Sequence, residues 1–355
     1  MSVLRSRGVS LEAPAAEQQP SASLDTGELP PAPALLGIGG YAPETVLSNA
    51  ELEAMVETSD TWILERTGIR ERRRGRADQT ASVMGAAAAR RALERAGSPT
   101  VDCIIACTAS PDTLFPSVAC LIQRRLGLGG AAAFDLGAAC SGFVYGVTVA
   151  DALIRGGHST LVLVVATESM TSLVDYHDRA TCVLFGDGAG AAVVGIGESG
   201  GLRASRLGAD GAEAELIYYG PRADDPQSAP RIRMAGKGTF RIAVERMTET
   251  ALALCADAGW RPEDVEHFVP HQANLRIIDA VAKRIGARPE QVIVNGDMFG
   301  NTSAASIPLA LAEADAAGRL RRGDRVVGVA FGAGSTWGGI ALEWALDPPA
   351  ATPGA

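Results

Sequence analysis

The stretch AAAFDLGAACSGFVYGVTVADAL, residues 131–153, combines a strand pattern, a turn of small residues and an apolar helix pattern. We expect AAAFDL to be a buried strand, and Cys140 lies in the turn at the start of the helix. The first N–H groups of a helix lack partners within it, and the helix dipole favours negative charge there. The position therefore predicts a nucleophilic cysteine with a lowered pKa. Taken alone, the pattern also fits a small buried cysteine in a tight turn.

The composition is that of a soluble globular protein with a large core, because 47% of the 355 residues are hydrophobic and 21% are charged. A net charge of −9 argues against nucleic acid as a general partner. The six cysteines have no paired spacing and the four histidines form no metal-ligand motif, so we expect neither a disulfide framework nor a metal site. The cysteine spacing also predicts a reduced, cytoplasmic compartment. The longest apolar runs, such as residues 161–166, are strand-sized, which predicts no membrane span.

The two ends of the chain differ from its body in composition. Residues 1–32 are rich in Ala, Pro, Ser, Glu and Gln and lack the apolar run of a signal peptide. They predict a disordered tail without an assigned role, because little apolar surface is available to offset the entropy of ordering. Residues 347–355 predict a similar short tail.

Two similar halves follow from a repeated pattern of a helix, a glycine and a strand. The first such glycines, Gly97 and Gly259, are 162 residues apart, and the next two, Gly127 and Gly286, are 159 apart. Cys140 and Asn301 are 161 apart, which makes Asn301 the expected counterpart of Cys140. The similar offsets predict a duplication, with halves at 33–200 and 201–346.

Alternating strands and helices in each half predict an α/β fold with a parallel-dominated sheet covered by helices. Catalytic groups in such folds lie beyond the carboxyl ends of strands. Cys140, His271 and Asn301 follow the strand patterns AAAFDL, VEHFVP and QVIVNG, so we expect a pseudo-twofold axis to bring them to one site.

Each of these residues also has a structural interpretation when it is considered alone. His271 fits a satisfied buried histidine, and Asn301 fits a helix cap or turn residue. The loop Gly332, Ala333 and Gly334 fits a hairpin turn, or a set of backbone N–H groups presented to an oxyanion.

Six motifs decide between these alternatives: TSDTWILERTGIRERR, AACSGF, FGDGAGAAVV, PHQANLRI, GNTSAAS and FGAGSTWG. Their sequences and order resemble the thiolase superfamily, and most closely the β-ketoacyl-acyl-carrier-protein synthase III family. The resemblance covers roughly residues 34–346. It implies a thiolase-like fold, in which two pseudo-twofold-related halves form αβαβα layers.

The resemblance also implies a role for each catalytic residue. Cys140 would take an acyl group from an acyl-CoA, and His271 and Asn301 would bind the thioester carbonyl of malonyl-acyl carrier protein. Decarboxylation would give an enolate that attacks the acyl-cysteine. Backbone N–H groups of Cys140 and of the glycine-rich loop would hold the second oxyanion, although Ala333 stands where the family commonly has glycine. No cofactor or metal is implied beyond the two substrates.

Substrate entry and partner binding are implied in the same way. Trp62 and Arg179 match the pair that sandwiches the CoA adenine, and Thr58 and Arg66 match positions at the same entrance. Phe115 matches a residue that crosses a homodimer interface and limits acyl-chain length. The expected docking patch for the acidic carrier protein consists of Gln272, Ala273, Asn274, Leu275, Arg276, Lys283 and Arg284.

The function implied is the decarboxylative Claisen condensation that initiates fatty-acid synthesis. One alternative is a specialised relative that primes a polyketide pathway or transfers an acyl group to another acceptor. Another is a silent partner subunit, although such subunits typically lack the cysteine that this chain has. The sequence leaves the primer open between acetyl, propionyl, branched and longer acyl groups, and leaves open whether the protein serves primary or secondary metabolism.

Overall fold

Most of the strands lie in two mixed sheets. The structure is a computed structural model that describes residues 32–349. The expected N-terminal tail, apart from Ala32, and the last six residues of the expected C-terminal tail lie outside the described residues. The strands are β1 (Pro33–Tyr41), β2 (Val46–Ser48), β3 (Glu71–Arg73), β4 (Cys103–Cys107), β5 (Ala132–Leu136), β6 (Leu161–Ser169), β7 (Asp187–Ile196), β8 (Gly201–Ala209), β9 (Ile217–Gly220), β10 (Arg231–Met234), β11 (His267–Pro270), β12 (Arg325–Gly332) and β13 (Thr336–Glu343).

The helices connect and cover these strands. They are α1 (Asn49–Glu53), α2 (Asp60–Thr67), α3 (Ala81–Arg95), α4 (Val118–Leu126), α5 (Gly142–Arg155), α6 (Gly236–Asp257), α7 (Leu275–Ile285), α8 (Gly296–Phe299) and α9 (Ser306–Ala316). None of the helices within residues 32–349 combines the length and apolar character needed to cross a membrane.

The first sheet has the strand order β1-β7-β6-β4-β5, and the second has β11-β12-β13-β8. Among the strand pairs within residues 32–349, those of β4 with β5 and β6, and of β11 with β12, are the parallel ones. The expectation of parallel-dominated sheets is therefore wrong. Helices α4 and α5 lie in the connections from β4 to β5 and from β5 to β6, and α7 to α9 lie in that from β11 to β12, whereas β6 and β7 are joined by a loop and pair antiparallel.

The strand registers reveal the duplication directly. Cys103 pairs with Val162 in the first sheet, and His267 pairs with Val326 in the second, so both positions differ by 164 residues. All strands of the first sheet lie within 33–200 and all strands of the second within 201–346, and the boundary between the halves stays a prediction.

The same offset relates the two turns that begin α5 and α9. A 3-10 turn at Ala139–Ser141 precedes α5, and one at Ser303–Ala305 precedes α9. The structural counterpart of Cys140 is therefore Ala304. The prediction that Asn301 is that counterpart is wrong by three residues, because the loops between the repeated elements differ in length.

Five layers result from this arrangement. Helices α3 and α4 cover the outer face of the first sheet, and α6 and α7 cover the outer face of the second. Helices α5 and α9 lie between the sheets and are buried among apolar residues of both halves. The predicted αβαβα fold is confirmed, and the two central helices begin at the functional site.

Two expected strands differ from the prediction. β5 is a partly exposed edge strand rather than a buried one, and the side chain of Phe134 on it is 39% exposed. The pattern QVIVNG, which corresponds to β5 in the second half, is reduced to a single parallel bridge between Val292 and Phe268. Near the end of the described residues, the Asp347 carboxylate lies 2.9 Å from the Arg322 guanidinium. This ion pair anchors the chain at the start of the expected tail.

Candidate active site

A cavity of about 790 Å³ lies where the two central helices begin. Cys140, His271, Asn301 and Ala333 all line it, so the structure brings the predicted catalytic residues and the glycine-rich loop together. The rest of the wall is mainly apolar and comes from the segments around α2, β6, β9, β10 and α6.

Cys140 lies in the 3-10 turn Ala139–Ser141, which is held from two sides. Ala139 has φ of +44°, a left-handed conformation that is strained for a residue with a side chain. The Ser141 hydroxyl donates to the Thr336 carbonyl at 3.1 Å, which ties the turn to the glycine-rich loop. The turn therefore presents the thiol from a fixed backbone.

The pKa of Cys140 differs from the prediction. The residue is half-buried at the cavity wall, and burial of its thiol raises the pKa to about 12. The predicted lowering of the pKa is therefore wrong for this state of the protein, because desolvation of the thiolate outweighs the favourable backbone dipoles.

The glycine-rich loop joins β12 to β13 directly beside Cys140. A Cβ on Gly332 would lie 2.7 Å from the backbone N of Cys140, so only glycine allows this approach. Gly334 has φ of +136°, whereas Ala333 has a negative φ and fits without backbone strain. The departure from three glycines is therefore compatible with the loop geometry.

His271 follows β11 and is 1% exposed. Its backbone N–H donates to the Val329 carbonyl at 2.8 Å, and its Nδ1 lies 2.6 Å from Oγ of Ser306 at the start of α9. Burial lowers the pKa of His271 to about 3, so the imidazole is neutral. A neutral imidazole carries one N–H donor and one acceptor nitrogen.

Asn301 is oriented by its neighbours on both sides. Its backbone N–H donates to the Leu184 carbonyl at 2.8 Å, and its carbonyl accepts from the Gly186 N–H at 3.0 Å. Its side-chain Oδ1 accepts from the backbone N–H of Ser303 at 2.8 Å. Because a backbone N–H only donates, its partner must be the amide oxygen, and the NH₂ group remains available to the cavity.

The charge of the cavity wall is unlike that of the whole chain. Among the described residues that line it, four carry a positive charge and none is acidic. These residues are Arg66, Arg179, Lys237 and Arg276. A cationic lining in a protein of net charge −9 favours an anionic ligand.

Comparisons with known proteins agree with this geometry. The family model described as 3-oxoacyl-[acyl-carrier-protein] synthase III matches residues 134–211. The model described as the C-terminal part of the same enzyme matches residues 255–344. A β-ketoacyl-[acyl-carrier-protein] synthase III of Sinorhizobium medicae is 46% identical over 316 residues, which cover 87% of this chain and 98% of that protein. The chain belongs to the 3-oxoacyl-[acyl-carrier-protein] synthase III family.

Solved structures are similar over nearly the same length. The synthase III of Aquifex aeolicus has 43% identity and a TM-score of 0.84, covering 88% of this chain and 100% of that one. The priming β-ketosynthase of the R1128 polyketide pathway has 38% identity and a TM-score of 0.85, covering 92% and 100%. The resemblance noted in the motifs is thus confirmed, and the protein is an acyl-transferring enzyme of the ketosynthase type with a thiolase-like fold.

The entrance predicted from family motifs lies at the cavity mouth, with one exception. The guanidinium of Arg179 lies 5.0 Å from the ring centroid of Trp62 and donates to the Glu57 carbonyl. Trp62 and Arg66 share α2, but Thr58 precedes that helix and does not line the cavity. The expectation that Thr58 lies at the same entrance is therefore not met by the cavity lining.

Some residues of the predicted docking patch are exposed and others are buried. Gln272 is 1% exposed and donates to the Pro270 carbonyl, so its assignment to a docking surface is wrong. Arg276 is exposed and lines the cavity mouth. Farther along α7, Lys283 is paired with Asp279 at 2.7 Å. Of the remaining members, Ala273 and Asn274 line the cavity, Leu275 is half-buried and Arg284 is exposed.

Phe115 does not line the cavity of its own chain. Its side chain is 84% exposed, and that of its neighbour Leu114 is 91% exposed. An apolar pair of this exposure on one loop is typical of an interface. Phe115 could therefore contribute to an acyl pocket only through a second copy of the chain.

Sequence reasoning missed several polar groups beside the cavity. Ser303 and Ser306 lie within the GNTSAAS motif, which was itself a signal, whereas Glu168 and Lys237 lie in segments without a recognised pattern. Within residues 32–349, no group of three or more His, Cys, Asp or Glu side chains could hold a metal ion.

Proposed function

We propose that this synthase condenses an acyl-CoA primer with malonyl-acyl carrier protein to give a β-ketoacyl-acyl carrier protein. The observation that carries the proposal is the single cavity in which Cys140, His271 and Asn301 meet beneath a cationic mouth. Both substrates bear phosphates on a long thioester arm, and the cations at the mouth fit those phosphates.

The first half-reaction is transfer of the acyl group to Cys140. The sulfur attacks the acyl-CoA thioester, the acyl–sulfur bond to Cys140 forms, and CoA leaves as its thiol. The developing oxyanion would be bound by the backbone N–H of Cys140 and by the loop of Gly332, Ala333 and Gly334. Such preorganised donors typically contribute about 3–4 kcal/mol each to transition-state stabilisation.

The second half-reaction is decarboxylation of the malonyl group. Asn301 directs its NH₂ toward the cavity because Ser303 holds the amide oxygen. In the proposal the Ser306 hydroxyl donates to Nδ1 of His271, which leaves the ring proton on Nε2 as a second donor. Two donors on the thioester oxygen stabilise the enolate as CO₂ leaves.

The enolate carbon then attacks the acyl-Cys140 thioester, which releases the Cys140 thiolate and the β-ketoacyl product. A neutral His271 suits this role because a proton-donating imidazolium would quench the carbanion. The reaction requires no cofactor besides its two substrates.

At the entrance, Trp62 and Arg179 would receive the adenine of CoA. Their present separation of 5.0 Å leaves no room for a ring between them, since each stacked contact needs about 3.5 Å. Binding would therefore displace the exposed guanidinium rather than the half-buried indole on α2.

A homodimer is part of the proposal. The edge strand β5, with Phe134, and the loop carrying Leu114 and Phe115 each expose large apolar side chains. Unpaired strand edges of this kind are suited to pairing with another chain. All six cysteines are free thiols, which supports a reducing, cytoplasmic location.

A second candidate is priming of a polyketide pathway by the same chemistry. It is favoured by the similarity to the priming β-ketosynthase of the R1128 pathway. The two candidates differ in the acyl primer and not in the catalytic residues.

One experiment tests both candidates. The protein is incubated with a panel of acyl-CoAs, the mass of the Cys140 peptide is measured, and malonyl-acyl carrier protein is then added. We expect acylation of Cys140 followed by release of CO₂ and a β-ketoacyl product, and the preferred primer separates the candidates. Acylation without condensation would contradict the proposed reaction, and no acylation by any acyl-CoA would contradict both candidates.

A further inference from the structure

Arg72, on the short strand β3, is a buried cation that has no part in the mechanism above. Its side chain is fully buried, although arginine is among the residue types that are least often buried in this way. Its hydrogen bonds go to carbonyl and amide oxygens, and within residues 32–349 none goes to a carboxylate. A buried charge without an ionic partner costs folding free energy, so its place in the structure calls for a reason.

The guanidinium of Arg72 joins two parts of the chain that are far apart in sequence. On one side its Nη1 donates to the amide oxygen of Asn49 at 2.7 Å and to the Leu47 carbonyl at 3.2 Å. On the other side its Nη2 donates to the Val183 carbonyl at 2.7 Å. Asn49 in turn donates to the Asp60 carboxylate at the start of α2, at 2.7 Å. Arg72 therefore fixes the peptide of Val183 against a support formed by β2, α1 and α2.

The segment that Arg72 holds also holds the backbone of Asn301. The Leu184 carbonyl accepts from the Asn301 N–H at 2.8 Å, and the Gly186 N–H donates to the Asn301 carbonyl at 3.0 Å. The stem of Arg72 lies against this contact, because a Cβ built on Gly186 or on Gly300 would lie 3.1 Å from the Cβ of Arg72. The two paired segments thus meet over one side chain.

The other catalytic groups are held by different contacts. His271 is held by hydrogen bonds to β12 and to the start of α9, and the turn of Cys140 is held by a hydrogen bond to β13. A shift of the segment bound to Arg72 would therefore move the amide of Asn301 first. A catalytic group that is displaced by about 1 Å can lose about 100-fold in rate.

We propose that Arg72 is a positioning residue for decarboxylation, and that it holds the amide of Asn301 at the malonyl thioester through the segment between Val183 and Gly186. A planar guanidinium suits this task because its donors form a rigid fork that spans Asn49 and Val183. Its charge strengthens each of these hydrogen bonds. Arg72 does not touch the substrate and acts through Asn301.

The inference rests on the proposed function, and its test measures both half-reactions of the full chain. Arg72→Lys keeps the buried charge but offers one nitrogen in place of the fork. We expect the acyl-enzyme on Cys140 to form at the rate of the unaltered chain. Decarboxylation of malonyl-acyl carrier protein should fall about 10- to 100-fold, the scale of a misplaced catalytic group. Intact-mass analysis follows the first rate, and released CO₂ follows the second.

Arg95→Lys is the matched control for that variant. Arg95 is a half-buried arginine that donates through Nε and Nη2 to the two carboxylate oxygens of Asp315, at 2.9 and 3.2 Å, and it does not line the cavity. Both substitutions break a fork of hydrogen bonds, so both should lower the unfolding temperature. Arg95→Lys should leave the ratio of the two half-reaction rates unchanged, whereas Arg72→Lys should lower the rate of decarboxylation relative to acylation.

A double-variant cycle separates positioning of Asn301 from a general loss of structure. Once Asn301→Ala has removed the amide, its position no longer matters, so adding Arg72→Lys should slow decarboxylation no further. The proposed role is contradicted if the two losses multiply. It is also contradicted if Arg72→Lys slows both half-reactions equally or slows neither.

A second variant decides if Arg72→Lys fails to fold. Asn49→Ala removes an acceptor of the guanidinium and keeps the charge, so it should also lower the rate of decarboxylation relative to acylation. An unchanged ratio would contradict the role of Arg72. If the unaltered chain itself releases no CO₂ from malonyl-acyl carrier protein, the proposed function fails rather than the role of Arg72.

Discussion

The turn that begins α5 and the turn that begins α9 have the same backbone form and different chemistry. Each is a 3-10 turn that opens with a residue of positive φ, Ala139 at +44° and Ser303 at +51°. In the first turn the next residue is Cys140, whereas in the second it is the buried Ala304. The duplication thus places two strained turns, each at the start of a helix, beside one cavity. Of these two turns, the one before α5 carries the nucleophile.

The second turn contributes hydrogen-bond donors in place of a nucleophile. Its strained Ser303 fixes the amide of Asn301 through a backbone N–H, and Ser306 contacts Nδ1 of His271. The first turn instead depends on Gly332, whose missing side chain lets a strand approach Cys140. We infer that one turn holds the acyl group and the other generates the carbanion, although the functional residues are not symmetry mates.

The largest expected effect on the first turn comes from Gly332→Ala. The new Cβ would lie 2.7 Å from the Cys140 nitrogen and would displace the N–H that we propose binds the oxyanion. We expect acylation of Cys140 to fall about 100- to 1,000-fold, the loss typical of one oxyanion donor. Rapid-quench mass analysis of the Cys140 peptide measures this rate.

Ala333→Gly is the matched control for that variant, because Ala333 is in the same loop and has a negative φ. Its acylation rate should match that of the unaltered chain. An equal fall in the acylation rate of both variants would contradict this prediction. It would show that the loop as a whole, and not the close approach at Gly332, determines the rate of Cys140 acylation.

A smaller effect is expected at the entrance, which serves the first half-reaction. Arg179→Ala removes a guanidinium that lies over Trp62, and we expect KM for acyl-CoA to rise about fivefold with kcat retained. Arg325→Ala is the control, since that guanidinium lies 5.7 Å from the Trp260 ring but does not line the cavity. Steady-state kinetics with both variants test whether Arg179 binds acyl-CoA. A fall in kcat alone for Arg179→Ala would contradict this role.

The smallest effect concerns the carrier protein, which serves the second half-reaction. Arg276→Ala should raise KM for malonyl-acyl carrier protein about threefold and weaken its salt dependence, because a charge at the mouth is lost. Lys283→Ala should change KM less, since Lys283 is already paired with Asp279. A larger effect at Lys283 would place the docking surface along α7 and away from the mouth.

Sequence reasoning was most successful where a motif also determines the backbone. The six motifs predicted the five-layer fold, and they identified Cys140, His271 and Asn301, which share one cavity. The glycines at 332 and 334 likewise indicated a tight turn, and the structure has that turn between the antiparallel strands β12 and β13.

Properties that depend on the tertiary surroundings could not be predicted in this way. The pKa of Cys140 depends on burial by residues from both halves, so the local helix-start argument gave the wrong direction. Gln272 adjoins His271 in a functional motif, yet its amide is used inside the protein. The repeat offset was misjudged because the loops between the repeated elements differ in length, and the strand pairings reveal the true offset.

The division of labour between the two turns is tested most directly by Asn301→Ala, with both half-reactions measured on the same preparation. Intact-mass analysis follows acylation of Cys140, and released CO₂ follows decarboxylation of malonyl-acyl carrier protein. We predict that the acyl-enzyme forms at the rate of the unaltered chain while decarboxylation falls about 100- to 1,000-fold, because only the second step loses a donor. An equal loss in both half-reactions would contradict the account.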